Sequence, residues 1–520
     1  MSRALRVMTA CVALLGAGTA RAELTLDTSF GTGGHVHTYF GPGYDAPRDL
    51  LILPDGRIVA AGTSLEDDNG HFIAMSRYSA DGVLDTLGFG IAGKVRVRFS
   101  YRDIANAIAV QADGRIVVAG MQMNSNFGSS QIPSVYRFMP NGEVDTGFGI
   151  GGAWVSRYDP NSTGEHSDVT VLPGGVIVAA GCSNASAAGG IQGFGRKVHD
   201  TNGTQVGADR IEHNMLTDRG SAAFTTGGGY IGMNTIYVGQ VEFFLGKMDS
   251  NGLPDLSFGP GGFRLTGCEI RNGTDYKVMI LPSGKILVGA TSPKNTNYDK
   301  ITLFRFGANG VIDPSFGNAG RVDLVYNTDG YDTFHDMTVD ADGRIIVVGE
   351  SRLNFLRSLI IRLLPDGTPD ESFAPSGGQI LELGSTNSRI IQVALQPDGR
   401  ILVAGSDYND FVLARFNAPV SGVANVERPQ PIPLALFPNP VRRSTTIGFR
   451  LAEPGEVAIT LFDGAGRRVR HLLADTLPAG SHELLWDGRD DSGIETPGGV
   501  YFVKLFTDGA TTTRKLTRVR

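Results

Sequence analysis

Short runs of apolar, largely β-branched residues recur along this chain, each opened by a tight turn and closed by glycine. The clearest is Ala112-Asp113-Gly114-Arg115-Ile116-Val117-Val118-Ala119-Gly120. A two-residue Asp-Gly turn flanked by such residues is a strong hairpin signal. The stretch returns from Pro54 to Gly62, Pro173 to Gly181, Pro282 to Gly289, Ala341 to Gly349 and Pro397 to Gly405, with a degraded copy from Thr226 to Gly232. Seven copies spaced by roughly 54 to 61 residues predict a solenoid, a propeller or an array. Long capped helical patterns are absent, so the class is all-β.

A second marker accompanies the hairpins. It is Leu26-Asp27-Thr28-Ser29-Phe30-Gly31-Thr32-Gly33-Gly34 in the first copy, and it recurs from Leu84, Val144, Pro254, Ile312 and Pro369. Between hairpin and marker lies a strand ending in a basic residue, as in Arg77-Tyr78 and Arg137-Phe138. Each unit then reads as marker, two strands, an Asp-Gly turn, a third strand, a loop and a fourth strand. Four short antiparallel strands are the content of a propeller blade. The first unit has a marker with no fourth strand before it, and the last has a fourth strand, Phe411 to Asn417, with no marker after it. The expectation is a seven-bladed β-propeller of four-stranded blades over 23–419, in which the N- and C-terminal segments close one blade.

The basic residue and the Asp of the next marker keep an offset of eight: Arg77 with Asp85, Arg137 with Asp145, Lys247 with Asp255, Arg305 with Asp313, Arg362 with Asp370. Across closure, Arg415 would meet Asp27. A structural ion pair at each blade junction is expected, against the alternative of a ring of ligand-binding arginines. The fourth unit, with Gln205 in place of the Asp, should be the most irregular.

Composition narrows the picture. Glycine supplies 71 of 520 residues. Net charge is −7, and −10 without Arg3, Arg6 and Arg21 of the leader. A mildly acidic chain with no basic block argues against nucleic acid and anionic membrane surfaces. Residues 1–22 read as a cleavable export signal: two arginines, an apolar run from Val7 to about Ala20, then Ala20-Arg21-Ala22. No later stretch could span a membrane as a helix. Cys182 and Cys268, in different repeats, read as free thiols, with a disulfide the other option.

From Leu24 to Ala418, the segments LDTSFGTGG (Leu26 to Gly34), DGRIVVAG (Asp113 to Gly120) and VLARFN (Val412 to Asn417) resemble the delta-60 repeat of bacterial exported propeller-like proteins. That resemblance implies a fold and a location, with no common catalytic residues. Beyond a Pro-rich spacer over 420–433, residues 434–520 alternate with turn signals every eight to twelve positions, which suggests a small β-sandwich with Trp486 in its core. Phe437-Pro438-Asn439-Pro440, Asp463 to Arg467, Leu484 to Gly493 and Gly499-Val500-Tyr501-Phe502 are similar to two related modules. One is the immunoglobulin-like domain named after the flagellar hook-capping protein, and the other is the C-terminal sorting domain of type IX secretion. The similarity implies a secretion machinery as partner and release or attachment at a bacterial surface.

Catalytic signatures are missing: there is no Gly-x-Ser-x-Gly elbow, Walker loop, His-Glu-x-x-His, Cys-x-x-Cys or complete EF-hand loop. The candidate site is positional. Six residues ahead of each turn stand Asp49, Ala107, Asp168, Ala222, Lys277, Asp336 and Gln392, with His166 and His335 close by. Equivalent positions in a ring share one rim, so these residues would surround one mouth of the channel. They could bind a cation such as calcium, or a polar ligand such as a sugar; the alternative is a hydrated mouth with loop-supporting aspartates. No cofactor is indicated. The expected function is a non-enzymatic exported propeller that binds an extracellular protein, glycan or surface polymer. The alternative is an extracellular glycan hydrolase or lyase acting at the channel mouth.

Overall fold

The computed structural model describes residues 24–519, apart from 418–433 and short stretches of which 124–130, 186–192, 213–220 and 382–387 are the longest. The expected signal and the Pro-rich spacer lie outside the described residues. The chain divides into two compact units, Met1–Ser421 and Gly422–Arg520.

In the first unit, five four-stranded antiparallel sheets and one eight-stranded sheet follow one another. The large sheet is two four-stranded runs joined by a single parallel bridge between His71 and Arg102. Sheet and repeat are out of step by one strand. The first run takes Asp45–Ile52, Ile58–Leu65 and His71–Tyr78 from one repeat and Lys94–Val97 from the next. The same offset carries the last sheet back to the start, where His35–Thr38 pairs with Asp410–Phe416, Thr38 opposite Phe411. Asp27 N–H donates to Arg415 O at 2.8 Å, and Arg415 N–H to Gly34 O at 3.0 Å. Each inner strand packs against the inner strand of the next sheet, and Arg389–Leu395 packs against Asp45–Ile52, so the ring is closed. Closure leaves no free face at the ends of the array.

The apolar runs that opened the sequence reading are the second strands. Ile58 to Ser64 are all buried, because the faces of each sheet are covered by the sheets on either side. That explains continuous apolar runs where a half-exposed strand would alternate. The closing glycine of each run has a distinct cause. Gly120 stands opposite Ala105, where the inner strand bulges, and a Cβ there would overlap the Ile104 carbonyl oxygen. Gly62, Gly181, Gly349 and Gly405 face equivalent bulges.

One unit departs from the pattern. Ile177 pairs with His199, as Ile58 does with Tyr78, so Val198 occupies the place of Arg77. Eight residues on is Val206. Gln205 is therefore not the replacement for the missing Asp; it is one position early. The reason is local: the chain turns from His199 to Gln205 and runs on as the strand Gln205–Glu212, with no marker loop between. Both members of the charged pair are absent together.

The second unit is a β-sandwich of a three-stranded sheet (Ala435–Phe437, Thr445–Leu451, Gly480–Trp486) and a four-stranded sheet (Arg468–Leu477, Gly455–Asp463, Gly499–Thr507, Ala510–Arg518). Trp486 is fully buried among Ile447, Val457, Leu461, Val503 and Leu516. Its indole N–H is satisfied by Arg489 O at 2.9 Å.

Candidate functional site

In five inner strands the pairing slips by one residue, at Arg48, Asn106, Ser167, His335 and Ile391. A bulge leaves one residue unpaired and re-aims the side chains around it. The bulged residue and its successor therefore both face the channel. Arg48 and Asp49, Asn106 and Ala107, Ser167 and Asp168, His335 and Asp336, and Ile391 and Gln392 all line one cavity of about 420 Å³. Lys277 joins them, with Glu165, Asp275 and Arg389. The expected rim positions thus lie within the inner strands. Ala222 is buried, and its neighbour Ser221 lines the cavity instead. His166 does not belong to the group. It pairs with Gly181 just before the bulge, so its ring is turned away from the cavity and fully buried. Burial pushes its pKa well down.

The channel carboxylates divide into two kinds. Asp49 and Asp336 clamp the ring. Asp49 accepts Leu50 N–H and, from the next inner strand, Ile108 N–H, both at 2.7 Å. Asp336 accepts Val393 N–H of the next strand at 3.0 Å and bonds the Lys277 ammonium with its other oxygen. Among the described residues, Asp168 accepts only its neighbour's N–H, Val169, at 2.8 Å. Asp49 and Asp168 are half-buried in the cavity wall. Withdrawal from bulk water pushes Asp49 up to about 6. The same cause, with the Asp49 charge added, pushes Asp168 up to about 7. Burial opposes the charge on Lys277, but Asp336, Asp49 and Asp168 outweigh it and raise its pKa.

His335 is held differently. Its Nδ1 lies 2.7 Å from Asp275 Oδ2 and its Nε2 2.6 Å from Glu350 Oε1, an oxygen that also accepts from Arg389. Burial works against its charge, yet the two carboxylates raise it to about 9. At neutral pH it is an imidazolium with both N–H groups committed. Among the described residues, no group of three or more His, Cys, Asp or Glu is placed to hold a metal. Cys182 and Cys268 are not joined in a disulfide.

The offset-eight pairs are all in contact. Arg77–Asp85 and Arg305–Asp313 stand at 2.7 Å, and Arg137–Asp145, Lys247–Asp255, Arg362–Asp370 and Arg415–Asp27 at 2.8 Å. Each arginine also lies over the marker phenylalanine: Arg77 over Phe89, Arg137 over Phe148, Arg305 over Phe316, Arg362 over Phe373 and Arg415 over Phe30, at 4.6 to 4.9 Å. Several reach a backbone carbonyl of the next unit, as Arg305 does Pro365 O at 2.6 Å and Arg415 does Ala80 O at 2.8 Å. The residue after the Asp-Gly turn adds a second cation, seen where Arg400 bonds Asp27 at 2.8 Å. Sequence reasoning found the pairs but missed the roles of the phenylalanine, which recurs in all six markers, and of this second cation, which follows the turn at Arg57, Arg115, Lys285, Arg344 and Arg400. These charges are consumed at the junctions and do not line the cavity that holds Asp49 and Asp168.

Comparison with known proteins fits this architecture. Five stretches, 53–87, 111–148, 281–316, 341–373 and 396–418, match the domain of unknown function DUF5122, a β-propeller, and residues 442–510 match the FlgD Ig-like domain. The chain carries DUF5122 β-propeller repeats and an FlgD Ig-like domain. No curated protein matches the sequence. Among solved structures, the chain resembles PorZ, an essential bacterial surface component of the type-IX secretion system of Porphyromonas gingivalis, with 13% identity, 91% of this chain and 74% of that one covered, and a TM-score of 0.28. Drosophila Semaphorin 2a gives 10% identity over 93% of this chain and 97% of that one, with a TM-score of 0.41. The β-propeller domain of the Trilobed protease from Pyrococcus furiosus gives 8% over 74% and 100%, with a TM-score of 0.39.

Proposed function

We propose that this DUF5122 propeller is an exported, non-enzymatic binding protein of a bacterial surface, which takes a polar ligand at the bulged mouth of its channel. Its FlgD Ig-like domain serves secretion or attachment. The observation that carries the binding half is the convergence of Asp49, Asp168, Lys277, Asp336 and Gln392, from five separate strands, on one cavity. Small-ligand sites are concave, with a few polar groups converging. The export half is supported by the sequence of residues 1–22, which reads as an export signal, and by the Ig-like match over 442–510. Calcium at the mouth is not part of the proposal.

The experiment pairs two measurements. The protein is expressed with and without Leu434 to Arg520 and located in cells and medium. The secreted form is then assayed for binding to cell-surface polymers, beside a form carrying Asp49→Asn, Asp168→Asn and Asp336→Asn together. Loss of surface or medium localisation on truncation supports the export role. Binding that survives the triple change removes the channel mouth as the site.

A second reading, an extracellular glycan hydrolase or lyase, draws on the Asp49 and Asp168 carboxyls, raised to about 6 and about 7. Those values suit a general acid near neutral pH. Release of reducing ends from polysaccharide by the parent protein, lost in Asp168→Asn, would favour it over simple binding.

A further inference from the structure

Building on the reading of the channel mouth as a binding site, we infer that the group it takes is a primary ammonium, seated over Ala107 and facing Asp49, Asp168 and Glu165. The chain supplies its own comparison. Successive inner strands set equivalent residues side by side, and Lys277 stands one unit before Asp336. Its ammonium crosses that boundary to Asp336 Oδ1, whose partner oxygen accepts Val393 N–H. Asp168 has the same relation to the unit before it, but the residue there is Ala107, which has no side chain to reach across. Among the described residues, neither Asp168 nor Asp49 has a cationic side chain at ion-pair distance. Glu165 lines the same sector, one oxygen accepting from Asn106 Nδ2 at 3.0 Å. Asp336 and His335 are thus bonded to partners within the mouth, whereas Asp49 and Asp168, on either side of Ala107, feel the Lys277 charge only at longer range and have no cation at bonding distance, with Arg48 in the wall beside Asp49.

The donor count separates the classes of ligand. Calcium takes about six to eight oxygens at close range. Among the described residues no three of His, Cys, Asp and Glu are placed to hold a metal ion together, so that shell is not assembled here. A neutral polyol would leave the acidic charge uncompensated. An ammonium has three donors to spread over separate carboxylates, as Lys277 does on the opposite side, and the cavity of about 420 Å³ has room for the stem that carries it.

The test is calorimetric titration of the full chain at pH 8 with n-butylammonium, Nα-acetyl-lysine amide, n-butanol and calcium chloride. Both amines should bind, the alcohol and calcium should not, and Asp168→Asn should weaken amine binding at least tenfold. Tighter binding of the lysine amide than of butylammonium would point to a lysine side chain as the source, and equal binding to a free amine. Ala107→Lys should supply the missing ammonium internally, abolish amine binding and melt above Ala107→Met. Calcium or butanol binding at the expense of the amines, or no amine binding, overturns the ammonium while the channel mouth stands as a site. Amine binding unchanged in both Asp49→Asn and Asp168→Asn overturns the site itself.

Discussion

Replacing Arg415 by methionine tests how the ring is closed. Arg415 is fully buried, and its guanidinium does several things at once. It pairs with Asp27 at 2.8 Å, donates to Ala80 O at 2.8 Å and to Ser29 Oγ at 3.1 Å, and lies 4.9 Å from the Phe30 ring centroid. Methionine keeps the stem and loses all of these. Breaking a buried pair from one side costs about 3–5 kcal/mol. Here Arg400 still bonds Asp27 at 2.8 Å, so the lower end applies, about 3 kcal/mol. For a unit of roughly 400 residues, an unfolding entropy near 2.1 cal/mol/K per residue turns that into a Tm lower by about 4 °C. Scanning calorimetry of the propeller transition reads it. A second measurement fixes the cause. Hydrogen bonds from Ser29 and Arg400 hold Asp27 down at about 2 although burial opposes them. A depressed carboxylate contributes stability above its unfolded pKa near about 3.9 and loses it as pH falls through about 2. The Arg415→Met penalty should therefore hold from pH 7 to 5 and shrink toward pH 2. A loss below about 1 kcal/mol, the range of an exposed pair, would refute the argument. So would a penalty independent of pH.

Three further outcomes are expected. The channel carboxyls at about 6 and about 7 keep protons that an unfolded chain has lost above about pH 4, so stability falls as pH rises through that window; Asp49→Asn with Asp168→Asn should raise the Tm at pH 8 more than at pH 4, and equal shifts would contradict the titration. Gly120→Ala forces a Cβ onto the Ile104 carbonyl oxygen and should cost about 2 kcal/mol or more in urea unfolding, whereas Gly33→Ala, with open space around it, should cost only the left-handed backbone penalty of about 1 kcal/mol. Lys197 is 2% exposed and held at about 8 by burial, with its amine bonded to Arg157 O at 2.6 Å; its depressed pKa penalises folding below pH 8 and not above about 10.4, so the change in Tm on Lys197→Met should be more favourable at pH 7 than at pH 10.5, and equal changes would contradict the titration.

The parts of this fold that were readable in advance are those where one residue type answers one backbone demand. Asp-Gly at a turn, an unbroken apolar run in a strand covered on both faces, and a basic residue eight positions before an aspartate each have a local reason, repeated often enough to stand out. The bulges were not readable, because a one-residue slip leaves no residue type behind it: Arg48, Asn106, Ser167, His335 and Ile391 share no chemistry. Their trace lies on the neighbouring strand, in the glycine each bulge faces. Missing the slip is what put His166 beside the rim, since alternation fails at that step. The error at Gln205 has the same root. A count along the sequence assumed a marker loop that this unit lacks, and pairing with Ile177 sets the register instead.

The distribution of charge separates scaffold from site. At the junctions, every buried cation has its aspartate, and where Val198 takes the arginine's place the acid is gone too. Losing one partner alone would strand a buried charge, so the pair is kept or dropped as a unit. The channel does not follow that rule. Lys277 and Asp336 are matched, and His335 is matched to Asp275 and Glu350, yet Asp49 and Asp168 are left facing each other across Ala107. The same fold, with the same strand positions, bonds its charges directly on one side of the mouth and holds them only at longer range on the other. Packing gives no reason for that difference, because the bond from Ile108 N–H to Asp49 needs only a hydrogen-bond acceptor and an asparagine would serve at lower cost. Carboxylates in the wall of a cavity with no cation at bonding distance are what a positively charged ligand requires.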